Sequence, residues 1–259
     1  MSKTAASHAD NQILFVGHSH LAAIQSGVEQ IPVWQNKFEF VQALDPEYHP
    51  LISNSATPEV HANFKRDVGE KIEKSNAVIS VAFGNQHNIL GLLNPPDPFE
   101  FVLRAEPDLK ILNDRQLVPF GIVQQKFREM TKQLEIFLAA LREITPDSIP
   151  FLHLESPPPV PSESHILKYP GPFRNKIQEL GVAPAELRYK FWRAYSGVVQ
   201  DICSENEITY LPVPLDVMDK NKFLKKEFWN DDPTHGNSNY GQRIVQNAIT
   251  KIKILENAA

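Results

Sequence analysis

Ile13-Leu14-Phe15-Val16-Gly17-His18-Ser19-His20 opens with four consecutive apolar residues and ends in a turn signal. An unbroken apolar run of this length reads as a strand buried on both faces, as parallel sheets require. Gly17 closes the run, and Leu21 to Val28 continues with apolar residues at helical spacing. The stretch is therefore a strand, a tight turn and a helix, with a serine at the turn. Working outward, a second strand is expected at Phe38 to Leu44 and a helix at about Pro58 to Ser75. Ala77-Val78-Ile79-Ser80-Val81-Ala82-Phe83 is a further buried strand that stops at Gly84-Asn85.

Leu93 to Phe120 contains Asn94-Pro95-Pro96-Asp97-Pro98 and little periodicity. It reads as an insertion of short elements, with room for a small hairpin. Val123 to Ile144 is the clearest helix, since Phe127, Met130, Leu134, Phe137, Leu138 and Leu141 recur on one face. Ile149 to Leu154 reads as a strand, and Pro157-Pro158-Pro159 opens a Pro-rich loop to about Pro172 that can wall or cover a site. A helix over Ala185 to Asn206, a short strand over Ile208 to Val213 and a closing helix over Tyr240 to Leu255 complete the chain. Strands alternating with helices predict a parallel sheet covered on both faces, with ligands bound beyond the carboxyl ends of its strands. No repeat or linker divides the chain. The expected organisation is a flexible tail over residues 1–11 and one domain over 12–259, with insertions near 93–120 and 156–172.

The 259 residues are 42% hydrophobic and 22% charged, with a formal net charge of −5. No basic stripe of the kind that binds nucleic acid is present; Lys222, Lys225 and Lys226 are interrupted and read as a solvated face. The single cysteine, Cys203, cannot form an internal disulfide and is expected to be packed inside. No secretory signal is recognisable at the start, and no apolar run reaches the roughly 20 residues of a membrane span. The expected setting is cytoplasmic, without membrane or nucleic-acid partners.

Three segments carry candidate chemistry. In Gly17-His18-Ser19-His20 a serine at a strand-to-helix turn is placed as a nucleophile beside helix-start N–H groups that can stabilise an oxyanion; the alternative is a simple helix cap. In Phe83-Gly84-Asn85-Gln86-His87-Asn88 an Asn amide at a strand end can donate to developing negative charge; the alternative is an ordinary turn. In Asp231-Asp232-Pro233-Thr234-His235 a carboxylate three residues before an imidazole can orient it as a general base; the alternative is a capping loop before the last helix. His18, His20, His87, Asn88 and His153 are possible neighbours of the same pocket. The carboxylates and spacing of a known zinc motif are missing, so no metal is expected.

Serine early, asparagine midway and Asp-x-x-His before the last helix resembles the SGNH hydrolases, also called GDSL-like esterases. The resemblance runs from about Ile13 to Leu255, carried by three short blocks of which Asp232-Pro233-Thr234-His235 is the most specific. It implies an α/β fold: a single-domain, three-layer α/β/α sandwich with a mostly parallel, flavodoxin-like sheet. It also implies Ser19 as nucleophile, His235 as general base and Asp232 as its orienting partner, with the Ser19 N–H and the Asn85 side chain in the oxyanion hole. No cofactor is implied. The chain departs from the family pattern in three places. His18 stands where the family has Asp, Gly84 is shifted by one so that Asn88 also competes as the family Asn, and no Gly lies between Leu44 and Val68. Asn54 or Ser55 could supply a backbone donor in its place. The expected activity is serine-dependent hydrolysis of a small acyl ester, for example an acetylated carbohydrate. Acyl transfer by the same triad and a non-catalytic ligand-binding role are the alternatives; oligomeric state is left open.

Overall fold

The structure is a computed structural model that describes residues 12–257. The expected tail over residues 1–11 lies outside the described residues. In chain order, β1 (Gln12–Gly17) leads through α1 (Leu21–Glu29) to β2 (Phe38–Gln42), then α2 (Ala62–Ile72), β3 (Ser75–Val81) and α3 (Gln86–Gly91). The first insertion holds β4 (Phe99–Glu100) and β5 (Gln116–Leu117). Next come α4 (Phe120–Met130), α5 (Lys132–Ile144), β6 (Phe151–Leu154), α6 (Glu163–Lys168), α7 (Arg174–Leu180), α8 (Ala185–Glu205), β7 (Thr209–Leu211) and α9 (Ser238–Glu256).

Five strands form one parallel sheet in the order β2-β1-β3-β6-β7. The fold is thus the expected three-layer α/β/α sandwich with a flavodoxin-like strand order. Alternate residues of each strand feed opposite layers. Ile13, Phe15, Ala77, Ile79 and Leu152 pack under α1 and α9, whereas Leu14, Val16, Val78 and Phe151 pack under α2, α5 and α8. Each such buried side chain contributes roughly 1.5–3 kcal/mol of transfer free energy, which is why the central strands read as unbroken apolar runs. Cys203 is fully buried on α8, and burial pushes its thiol up to about 12, so it packs as a small apolar group. Among the described residues no helix is long and apolar enough to cross a membrane.

Several boundaries differ from the sequence reading. The long helix expected over Val123 to Ile144 is two helices, because the backbone at Thr131 leaves helical geometry (ψ 4°) and its hydroxyl donates to the Phe127 carbonyl at 2.8 Å. Side-chain bonding of this kind competes with helix continuation and bends the chain. The two short strands of the insertion pair in parallel, Phe99 with Gln116, so they are not a hairpin. The Pro-rich segment contains α6, whose N-cap Ser162 accepts from the His165 N–H at 3.2 Å, and α7 was not anticipated. Lys190 on α8 meets Glu100 of the insertion at 3.1 Å, both side chains inaccessible, and Lys190 also donates to the Lys110 carbonyl at 2.7 Å. The insertion is therefore tied to the sandwich by a buried, hydrogen-bonded ion pair.

The helices that flank the site, α1 and α9, approach backbone to backbone. A Cβ at Gly27 would lie 2.7 Å from the Ser238 carbonyl oxygen, and one at Gly241 would run into the Ala23 carbonyl. Gly241→Ala should therefore push the two helices apart and lower stability by about 1–3 kcal/mol, the usual cost of overpacking. Gly69→Ala on α2, where a Cβ meets nothing within 4 Å, should instead raise stability by about 0.5–1 kcal/mol. Denaturant midpoints of the two variants check both signs; equal effects would refute the close-contact reading.

Candidate active site

Ser19 lies in the turn between β1 and α1, exposed, at the carboxyl end of a central strand. Its hydroxyl is 2.9 Å from His235 Nε2, across 216 residues of sequence. The helix-cap alternative for this turn does not hold: α1 has no side-chain cap, and Ser19 Oγ meets the imidazole instead.

His235 and Asp232 share a loop pinched at its base by the Trp229–Gly236 bridge. Asn237 clamps that base by donating from Nδ2 to the carbonyls of Glu227 (2.9 Å) and Trp229 (3.0 Å), while its Oδ1 accepts the Tyr240 N–H and caps α9. Inside the loop, Asp232 Oδ1 is 3.0 Å from His235 Nδ1 and accepts the N–H groups of Thr234 (2.7 Å) and His235 (2.8 Å). Asn230 Nδ2 donates to the other carboxylate oxygen at 2.7 Å. Burial by itself would raise the Asp232 carboxyl. The hydrogen bond and charge of His235, together with the two backbone N–H groups, outweigh that and hold it well below the usual carboxylate range. A carboxylate fixed in this way keeps the Nδ1–H tautomer of the imidazole, leaving Nε2 free to accept the serine proton.

The β3–α3 turn stands beside this relay. Phe83 adopts φ +54°, a left-handed conformation costly for a bulky residue. It is held at both ends: its N–H donates to His18 Nδ1 at 3.2 Å, and its carbonyl accepts the Tyr195 hydroxyl. This strained residue delivers Gly84 and then Asn85, the N-cap of α3. Asn88 follows three residues later on α3. It is buried, and its amide donates to Asn85 Oδ1 at 2.8 Å. Asn88 is thus a support, and Asn85 is left with its own amide N–H groups to donate. His18 Nδ1 is the acceptor for the Phe83 N–H, its imidazole kept neutral by burial.

Ser19 and His235 open onto a groove of about 330 Å³ whose other walls include Ala22, Ala23, Ser26, Gln30, Asn237 and Ser238. Neither Asn85, on the β3–α3 turn, nor any of the five expected neighbours, His18, His20, His87, Asn88 and His153, lines it. His20 and His87 are buried beneath the site, and His153 pairs through Nδ1 with Ser80 Oγ at 3.0 Å inside the sheet. Among the described residues no three His, Cys, Asp or Glu side chains are arranged to hold a metal ion. A larger cleft of about 450 Å³, between Glu106, Lys110, Tyr189 and Lys222, has no serine, threonine, cysteine or histidine in its walls. Asn230, Asn237, Thr234 and Tyr195 were not singled out from sequence. Only Asn237, an Asn just before a helical pattern, carried a local signal, that of an N-cap.

No protein-family model matches the chain, and no curated protein matches it. Solved structures are similar to it over most of their length. A GDSL-like lipase from Bacteroides thetaiotaomicron is 10% identical with a TM-score of 0.45, covering 98% of this chain and 93% of the other. The periplasmic domain of a lipopolysaccharide acetyltransferase from Salmonella ser. Paratyphi A is 11% identical (TM-score 0.49; 93% and 84% covered). Phospholipase A1 from Streptomyces albidoflavus is 13% identical (TM-score 0.42; 92% and 99% covered).

The buried histidines have a consequence for stability. Burial holds His18 down to about 4 and His20, His87 and His153 to about 3, with the neighbouring His235 and His87 adding to the effect at His20. In the unfolded chain each returns to about 6.5. Between these values the unfolded state binds protons that the folded state refuses, so stability rises with pH and falls as pH drops below about 6.5. Near pH 5 unfolding should take up about four protons, a slope of at most about 5 kcal/mol per pH unit. Urea midpoints measured between pH 7 and pH 5 should drop steeply; a flat series would contradict the neutral, buried assignment.

Proposed function

We propose that this protein is a serine-dependent ester hydrolase of the SGNH type. The observation that carries the proposal is the continuous relay Ser19 Oγ–His235 Nε2 and His235 Nδ1–Asp232 Oδ1, at 2.9 and 3.0 Å. Ser19 Oγ attacks the ester carbonyl while His235 Nε2 takes its proton, and Asp232 remains ionised and stabilises the imidazolium. The Ser19 N–H and the Asn85 amide donate to the oxyanion. Collapse of the tetrahedral intermediate expels the alcohol, which receives the proton from His235. A water deprotonated by His235 then attacks the acyl-serine, and the second collapse releases the acid and restores the Ser19 hydroxyl. These steps use only side chains and one backbone N–H of this chain, and water.

The groove beside Ser19 supports a particular kind of substrate. Its walls carry hydroxyl and amide groups from Ser26, Gln30, Asn230, Asn237 and Ser238, and no charged side chain. Its apolar surface comes from Ala22 and Ala23, too little to hold a long acyl chain. The chemistry fits an uncharged, hydroxyl-rich alcohol esterified to a short acyl group, such as an acetylated saccharide.

Intact-mass analysis with a fluorophosphonate probe tests the reading. The native protein should gain one label and Ser19→Ala none. With a short acyl ester, Ser19→Ala and His235→Ala should lose on the order of 10⁴-fold or more in kcat, and Asn85→Ala roughly 10²–10³-fold. Activity should fall on the acidic side of neutrality as the general base becomes protonated; circular dichroism at each pH separates this from acid unfolding. An unlabelled native protein would return the balance to a non-catalytic, ligand-binding role.

A further inference from the structure

α1 follows an imidazole, His20, whose side chain caps nothing and whose backbone is already helical. The residue is 7% exposed, neither ring nitrogen makes a well-formed hydrogen bond, and the one backbone group within reach of the ring is that of Gly84. A buried imidazole so weakly bonded is a poor core filler, since Leu or Phe would occupy the space without a polar group to satisfy. Its position supplies a reason for it. The His20 ring lies against the His235 ring, centroids 4.5 Å apart and planes inclined at 48°. On another side it abuts Gly84, where a Cβ would sit 2.8 Å from His20 Cδ2 and 3.0 Å from Nε2. The ring is thus wedged between the β3–α3 turn and the imidazole of the Asp232–His235 loop.

We infer that His20 is a positioning residue for His235: its neutral ring fixes the imidazole toward Ser19 and stabilises the imidazolium that forms when Ser19 loses its proton. The inference rests on the reading of His235 as the general base. The ionisable groups that face His20 are His235 and Asp232 from the catalytic loop and His87 from α3. Burial first, then the charges of His235 and His87, hold His20 neutral down to about 3, so it does not compete for the serine proton. During the first step the proton moves from Ser19 Oγ to His235 Nε2, Asp232 stays anionic and His20 stays uncharged. The two rings meet at a tilt with centroids 4.5 Å apart, so the imidazolium forms against an uncharged aromatic ring and not against a second cation, and the wedge removes alternative rotamers of the base.

The test compares native protein with His20→Leu and His20→Phe by NMR titration of the His235 ring and by the rate of fluorophosphonate labelling. His20→Leu keeps apolar bulk but removes the aromatic face. It should lower the His235 titration midpoint by about half a unit or more, move the acid limb of kcat/KM the same way, and slow labelling about tenfold with KM little changed. His20→Phe restores the face and should return the midpoint to near the native value. An unchanged His235 midpoint in His20→Leu would overturn the inference, as would a Phe variant that behaves like Leu while retaining native circular dichroism. The titration needs no activity, so the two readings fail separately. A shifted midpoint in a protein that accepts no probe would keep the ring contact and discard the catalytic reading.

Discussion

The close packing of α1 on α9 is the constraint on which the site depends. Ser19 sits just before the first helix and His235 just before the second, more than two hundred residues later. Nothing local brings them together. Gly27 and Gly241 let the two backbones touch, and that approach sets the distance across which a hydroxyl can reach an imidazole. Neither glycine is needed for an unusual φ; each is needed because a side chain would fill the space in which the helices meet. Packing at this interface is thus coupled to the geometry of the Ser19–His235 contact, and a change of a few tenths of an ångström there is felt at a hydrogen bond of 2.9 Å.

Around that contact, polar groups are fixed by backbone rather than by long side chains. Asp232 receives two backbone N–H bonds and an amide besides the imidazole, so its charge is secured whatever enters the groove. Phe83 is held in a strained conformation by His18 on one side and Tyr195 on the other. Strain of this kind persists only where neighbours over-determine it, and here the neighbours come from the β1–α1 turn and from α8. The result is a preorganised set of donors and acceptors around one exposed hydroxyl, with uncharged walls beside it. Such a site stabilises charge that develops during a reaction more than charge already present in a ligand.

The sequence reading failed where long-range or side-chain-to-backbone bonding overrides local pattern. The hydrophobic period runs without interruption through Thr131, yet its hydroxyl bonds back to Phe127 and the helix breaks. The insertion has no periodicity to read, and its anchor is an ion pair between Glu100 and Lys190, ninety residues apart. Charged residues ordinarily signal surface, so no local rule would have placed these two inside. The histidines beneath the site misled for the converse reason: their types suggested a pocket, whereas burial makes them supports.

The amino-acid sequence by itself determined the layer architecture and the candidate relay. Apolar runs at 13–16 and 77–83, the second interrupted only by Ser80, demand a sheet covered on both faces, and the spacing of Asp232 and His235 lets one tight loop join carboxylate and imidazole. Only the tertiary structure decided which asparagine is buried, where His18 and His20 are packed, and which groove the hydroxyl opens onto. Those outcomes depend on helix-to-helix distance and on contacts between segments remote in the chain. A periodic pattern encodes which face of an element is buried, but it carries no information about the partner against which that face will be packed.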